Sequence, residues 1–242
     1  MFKVVSLSDL MLKRGKSINP LSNPDKEFEL YSIPAYENKT PEFLRGIEIG
    51  SSKQILVEND VLLSRIVPHI RRAWIVKPQS NRTLIGSGEW VVFRSEKADP
   101  GYLRNFLLSD VFHQQMMTTV RGVGGSLLRA SPELIGKIEI PLPPLEVQKK
   151  IAAVLEKADT LRRKREEQIK RLDDLLQATF LDMFGDPVTN PKGWPVSNLE
   201  EIGEITTGST PPTKEKNMFD GEIPFITPGD LKESWVSAAR TV

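Results

Sequence analysis

Between residues 145 and 184 the apolar positions keep helical steps of three and four: Ile151, Val154, Leu155, Ala158, Leu161, Ile169, Leu172, Leu175, Leu176, Phe180 and Met183. Such a stripe predicts a long helix with one face made for a partner helix. Pro144 suits a first helical turn, where its missing N–H would be unpaired anyway. Gly185 can take a left-handed cap, and Pro187 cannot continue a helix. The roughly 40 residues between these signals would span ~60 Å, against an average of ~11–12 residues for a globular helix. A helix of that length in mid-chain holds two things apart. Arg162-Arg163-Lys164-Arg165 interrupts the stripe, and two readings stay open there: a solvated turn, or a docking or DNA-backbone contact.

Upstream the period changes. Residues 55–57 and 60–66 are short β-rich runs around a Glu58-Asn59 turn signal, and residues 72–76 and 90–93 read as further strands. In residues 102–118, Leu103, Phe106, Leu107, Val111, Phe112 and Met116 return to helical spacing after the Pro100-Gly101 punctuation. Gly122, Gly124 and Gly125 open a loop, Ser131-Pro132-Glu133 begins a helical turn, and a strand at 138–140 leads into the long helix. The expected fold class is α+β. It has a mixed α/β globular domain over residues 1–140, a coiled-coil-forming helix over 141–186, and a new segment over 187–242.

That last segment repeats the first. Residues 194–202 (WPVSNLEEI) echo residues 4–10 (VVSLSDL), Thr207-Gly208 falls where Arg14-Gly15 falls, and Ile223-Pro224-Phe225-Ile226 echoes residues 31–36. The second copy breaks off at Val242, which predicts an incomplete second domain.

Composition narrows the function classes. The chain has 242 residues, no cysteine and only two histidines, His69 and His113. Disulfides and cysteine metal sites are excluded, and no metal site is expected. No apolar run approaches the ~20 residues of a membrane span, and the N-terminus lacks a signal-peptide layout, so the expected location is cytoplasmic. The net charge of +1 is uneven: residues 186–242 hold five Lys/Arg and nine Asp/Glu, or −4, leaving +5 for the first 185. A nucleic-acid site would therefore be a local patch.

The motif Ile140-Pro141-Leu142-Pro143-Pro144-Leu145-Glu146, then residues 148–153, then Phe180-Leu181-Asp182-Met183-Phe184-Gly185-Asp186-Pro187, closely resembles the central conserved region of specificity subunits of type I restriction–modification systems. Residues 208–231 look like the opening of a target-recognition domain in that family. The resemblance implies a first target-recognition domain, a central spacer helix and the beginning of a second recognition domain. It also implies a non-catalytic subunit that reads one half of a bipartite target in double-stranded DNA. Its partners would be methyltransferase subunits, which supply S-adenosylmethionine chemistry, and through them restriction/translocase subunits. The subunit itself would need no cofactor. A ~60 Å helix covers about 15–18 base steps, a scale that suits a split site. An exposed helix stripe formed by Ile151, Leu155, Ala158, Ile169, Leu172, Leu176 and Met183 would allow two copies to pair about a two-fold axis.

No catalytic constellation competes with this reading. Arg14-Gly15-Lys16-Ser17 ends like a P-loop, but position 10 is Leu where that motif needs Gly. Residues 122–125 lack dinucleotide-binding spacing, and no nucleophile signature is present. Two basic segments are the DNA-binding candidates. Residues 65–82 hold Arg65, His69, Arg71, Arg72, Lys77 and Arg82 without an acid, and residues 120–131 hold Arg121, Ser126 and Arg129 without an acid. Arginine suits both phosphate contact and guanine recognition, and glycine lets backbone approach a phosphate. Each residue could equally be ordinary exposed surface. His113 reads as structural. The alternative for the whole chain is an adaptor that binds the methyltransferase through its helix without reading DNA.

Overall fold

A computed structural model describes residues 2–121, 128–208, 224–226 and 240–241. The chain divides into two compact units, Met1–Asp173 and Asp174–Val242, with the division inside the long helix.

The first unit is built on two sheets. Strands β1 (Lys3–Ser6), β2 (Ser17–Ile18), β3 (Glu27–Tyr31), β4 (Glu42–Arg45), β5 (Lys53–Ile55), β6 (Val61–Ser64), β7 (Ala73–Ile75), β8 (Thr83–Gly86) and β9 (Trp90–Phe93) precede helices α1 (Pro100–Leu108) and α2 (Asp110–Met117). Then come β10 (Val120–Arg121), β11 (Arg129–Ala130), α3 (Pro132–Gly136), β12 (Glu139–Leu142) and α4 (Leu145–Phe184). One sheet runs β2-β5-β8-β3-β4, parallel only between β3 and β8; the other runs β7-β6-β9, all antiparallel. β1 pairs with β12, and β10 with β11.

The pairing of β6 with β9 explains why residues 61–63 and 90–93 are continuously apolar. Successive strand side chains face opposite sides. Val61, Leu63, Val91 and Phe93 enter a core with Leu103, Leu107, Phe112, Met116 and Ile135 under the helices. Leu62, Trp90 and Val92 enter a second core with Tyr31, Tyr36, Leu56 and Val76. A strand covered on both faces has no polar side to alternate. The Glu58-Asn59 turn is present, with Asn59 at φ 69°.

The expected helix over 102–118 is two helices. Ser109 sits at φ −70°, ψ 156°, donates its N–H to Phe106 O (3.0 Å) and caps the next helix by accepting from Phe112 N (3.3 Å). One serine ends α1 and starts α2, so the apolar spacing continues across a break that periodicity does not register. The strand expected at 55–57 lies at Lys53–Ile55, and that expected at 138–140 lies at Glu139–Leu142.

α4 is continuous over 40 residues, as the stripe predicts. Gln148 anchors its start. It donates to Pro143 O (2.8 Å) and Lys97 O (3.1 Å) and accepts from Asp99 N (2.8 Å). Beyond the first turns, Leu155, Ala158, Ile169, Leu172, Leu176 and Met183 are exposed; Ile151 is half-buried. Arg162 pairs with Asp159 and Glu166, and Arg163 with Asp159, one helical turn away.

In the second unit the Phe-Gly-Asp-Pro word is a helix cap. Gly185 takes φ +81° and donates to Leu181 O (2.8 Å). Lys192 Nζ donates to Asp182 O and Met183 O, and Trp194 Nε1 to Phe184 O (2.8 Å). These donors satisfy carbonyls that the last turn leaves without helical partners. A short helix, α5 (Leu199–Ile202), follows.

Candidate nucleic-acid interface

β6 and β7 form an antiparallel pair whose two ends differ. At one end Ser64 N donates to Arg72 O (3.0 Å) and closes a loop over residues 65–72. At the other end Val76 N donates to Asp60 O (2.8 Å), and residues 77–82 leave from there. The basic run at 65–82 is thereby split. Arg65, His69, Arg71 and Arg72 share one end, while Lys77 and Arg82 leave from the other, where Arg82 pairs with Glu27 at 2.6 Å.

The 65–72 loop is pinned to the second basic segment. Val67 N donates to Leu128 O (3.1 Å), Ala130 N to Arg65 O (2.8 Å), and Ile66 bridges Arg129. Two segments that the sequence keeps far apart thus meet. Val67 holds φ 45°, an unusual conformation for a β-branched residue. Pro68 is buried behind the tip, and His69, Ile70 and Arg71 are exposed on it.

Each described arginine of this face meets an acid from a distant element. Arg65 Nε lies 2.9 Å from Glu89 Oε2, and Arg129 Nη2 lies 3.2 Å from the other oxygen of the same carboxylate. Arg71 pairs with Asp110 at 2.6 Å and donates to Leu108 O. Arg72 donates through Nε to Glu37 (2.7 Å), and its Nη1 is buried without a hydrogen-bond partner among the described residues. Arg72 is therefore the least available of the set. His113 is half-buried on α2, where burial and then the Arg71 guanidinium push its imidazole below the ordinary value, with Asp110 opposing and His69 adding to the depression. Arg121 is described only as backbone, paired across the ribbon with Arg129. Ser126 lies outside the described residues.

The acids are what the sequence reading missed. Glu89, Asp110 and Glu37 come from the β8–β9 turn, the start of α2 and the loop after β3, so no local window contains base and acid together. Beside Glu89 a cavity of about 320 Å³ is lined by Ile33, Pro34, Lys53, Ile66 and Ser87, among others. Among the described residues no group of three or more His, Asp or Glu side chains could hold a metal ion, and no helix is long and apolar enough to cross a membrane.

Residues 1–171 and 191–240 match the Type I restriction modification DNA specificity domain. The chain belongs to that family. The MjaIX specificity subunit of Methanocaldococcus jannaschii is 54% identical over 41 residues, covering 17% of this chain and 10% of that protein. The putative MjaX specificity subunit of the same organism is 26% identical over 196 residues, covering 72% of this chain and 45% of its own length. The HsdS subunit from Thermoanaerobacter tengcongensis superposes with a TM-score of 0.58 at 26% identity, over 99% of this chain and 64% of that one. A chain from a study of assembly and conformational transition in the type I R-M system shares the fold, with a TM-score of 0.63 at 23% identity over 93% of this chain and 60% of its own. The chain thus spans less than two thirds of the length of each of these relatives.

Proposed function

We propose that this chain is a sequence-specificity subunit whose 65–72 loop and β10–β11 ribbon form the DNA-contacting face of a target-recognition domain. The observation that carries the reading is the meeting of Arg65 and Arg129 at one carboxylate, beside exposed His69 and Arg71. Residues 1–140 are the recognition domain in this reading, 141–186 the spacer helix and 187–242 the beginning of a second recognition domain. The chain contributes no catalysis. It docks methyltransferase subunits, which act in turn with restriction/translocase subunits. The exposed stripe on α4 pairs with the same helix of a second copy.

A specific observation favours the second reading, an adaptor that binds the methyltransferase without reading DNA: every described arginine of the face already has an acidic partner. Co-expression with the cognate methyltransferase and long-read mapping of methylated adenines separates the two. A split motif supports target reading. A stable complex with no motif supports the adaptor. Binding to duplex DNA gives a second check, because each phosphate neutralised steepens the slope of log K against log salt by about 0.9. Arg65→Ala and Arg129→Ala should each weaken DNA binding and flatten that slope.

A further inference from the structure

Glu89 stands where a DNA-binding face should not want an acid. Its carboxylate is about one-quarter exposed, between Arg65 at 32% and Arg129 at 47%, so all three groups are within reach of a ligand. Its backbone is also part of the frame: Glu89 O accepts from Arg65 N (3.1 Å), and Glu89 N is held by Ser87 Oγ (3.2 Å). Arg65 is engaged through Nε, and among the described residues its two terminal amino groups carry no other bond. An arginine gripped this way keeps a fork of the shape that reads guanine O6 and N7, with its swing removed. The three groups together carry +1 rather than +2, which lowers attraction to phosphate at large.

We propose that Glu89 is a positioning residue that sets target specificity. It orients Arg65 and Arg129 for base edges and suppresses sequence-independent binding to the backbone. This rests on the reading of the face as a DNA interface. A merely structural acid would, when removed, weaken binding to every duplex alike. A positioning acid gives opposite signs: loss on the target and gain off it.

The test uses the full chain in complex with its methyltransferase, a duplex carrying the motif found by methylation mapping, and a scrambled duplex of equal length. Glu89→Gln should tighten scrambled-duplex binding several-fold, steepen its salt slope by about 0.9 per freed arginine, and cut the specificity ratio about tenfold. Glu89→Asp should recover part of the ratio. If Glu89→Gln does not fold, Arg65→Lys serves instead. A lysine keeps the charge without the fork, so the ratio should fall with the salt slope unchanged. An unchanged ratio in a folded variant, or equal losses on both duplexes, overturns the proposal. If Arg65→Ala and Arg129→Ala leave both affinities unchanged, the interface reading itself fails. If those two weaken binding while Glu89→Gln leaves the ratio intact, only the role of Glu89 fails.

Discussion

His113 sits where three charged or titratable neighbours meet it: Arg71 and His69 from the 65–72 loop and Asp110 from its own helix. Burial and Arg71 depress its pKa, so the folded protein favours the neutral imidazole. The linkage follows directly. Above the unfolded value of about 6.5 the imidazole is neutral in both states and its stabilising bias is fully present. As pH falls below that value the unfolded chain takes up the proton first, and stability is lost toward the folded pKa. His113→Gln should therefore shrink the fall in Tm between about pH 7.5 and about pH 5.5, as measured by calorimetry. An identical fall in both proteins would show that His113 carries no such linkage. At this scale the bases of the candidate face were legible, because Arg65, Arg71 and Arg129 stand in acid-free windows. Their partners were not. Glu89, Asp110 and Glu37 are ordinary surface acids in sequence and become partners only through strand pairing and the α1–α2 junction.

Elements were legible where one period ran without interruption. α4 begins after Pro144 and ends at Gly185 because proline and glycine act locally, through φ and the missing donor. β3 and β8, the one parallel pair among the described residues, passed unread: the two strands lie far apart along the chain, and Glu27, Glu29 and Thr83 dilute their apolar pattern. The break at Ser109 was invisible because α1 and α2 bury their apolar residues in the same core. The start of α4 holds a less obvious determinant. Gln148 is 1% exposed and ties three backbone groups together, including the N–H of Asp99, whose side chain caps α1 through Tyr102 N. Gln148→Leu keeps the volume but strands two carbonyls and an amide. We expect a loss of about 3 kcal/mol, read as a lower urea midpoint. A loss below about 0.5 kcal/mol would mean that water replaces these bonds at no cost.

For the whole molecule the informative contrast lies between the two copies of the repeat. Leu7 and Leu10 are 0% exposed, whereas Leu199 and Ile202, at the matching positions, are 73% and 74% exposed. The same local pattern yields a short helix in both places, a 3-10 turn over Leu7–Asp9 and α5 over Leu199–Ile202, but burial depends on elements such as α3 and β9, which have no counterpart among the described residues of the second unit. The α4 stripe raises the same question of what covers an apolar face. Ile169, Leu172 and Leu176 are 59–70% exposed, at steps of three and four. In the proposed pairing of two copies each leucine is buried twice, once per protomer. Burying one leucine contributes roughly 1.5–3 kcal/mol, so Leu172→Glu with Leu176→Glu should weaken a dimer at least ~100-fold. Sedimentation at micromolar concentration reads this directly. A dimer that becomes monomeric, with the urea midpoint of the first unit unchanged, fits pairing along this stripe, and in the methylation map a dimer of identical recognition domains should produce an inverted repeat. A wild-type chain that is already monomeric at that concentration rejects pairing between copies. The stripe then calls for a different helix, and a mapped motif with unlike halves would say that this helix brings its own recognition domain.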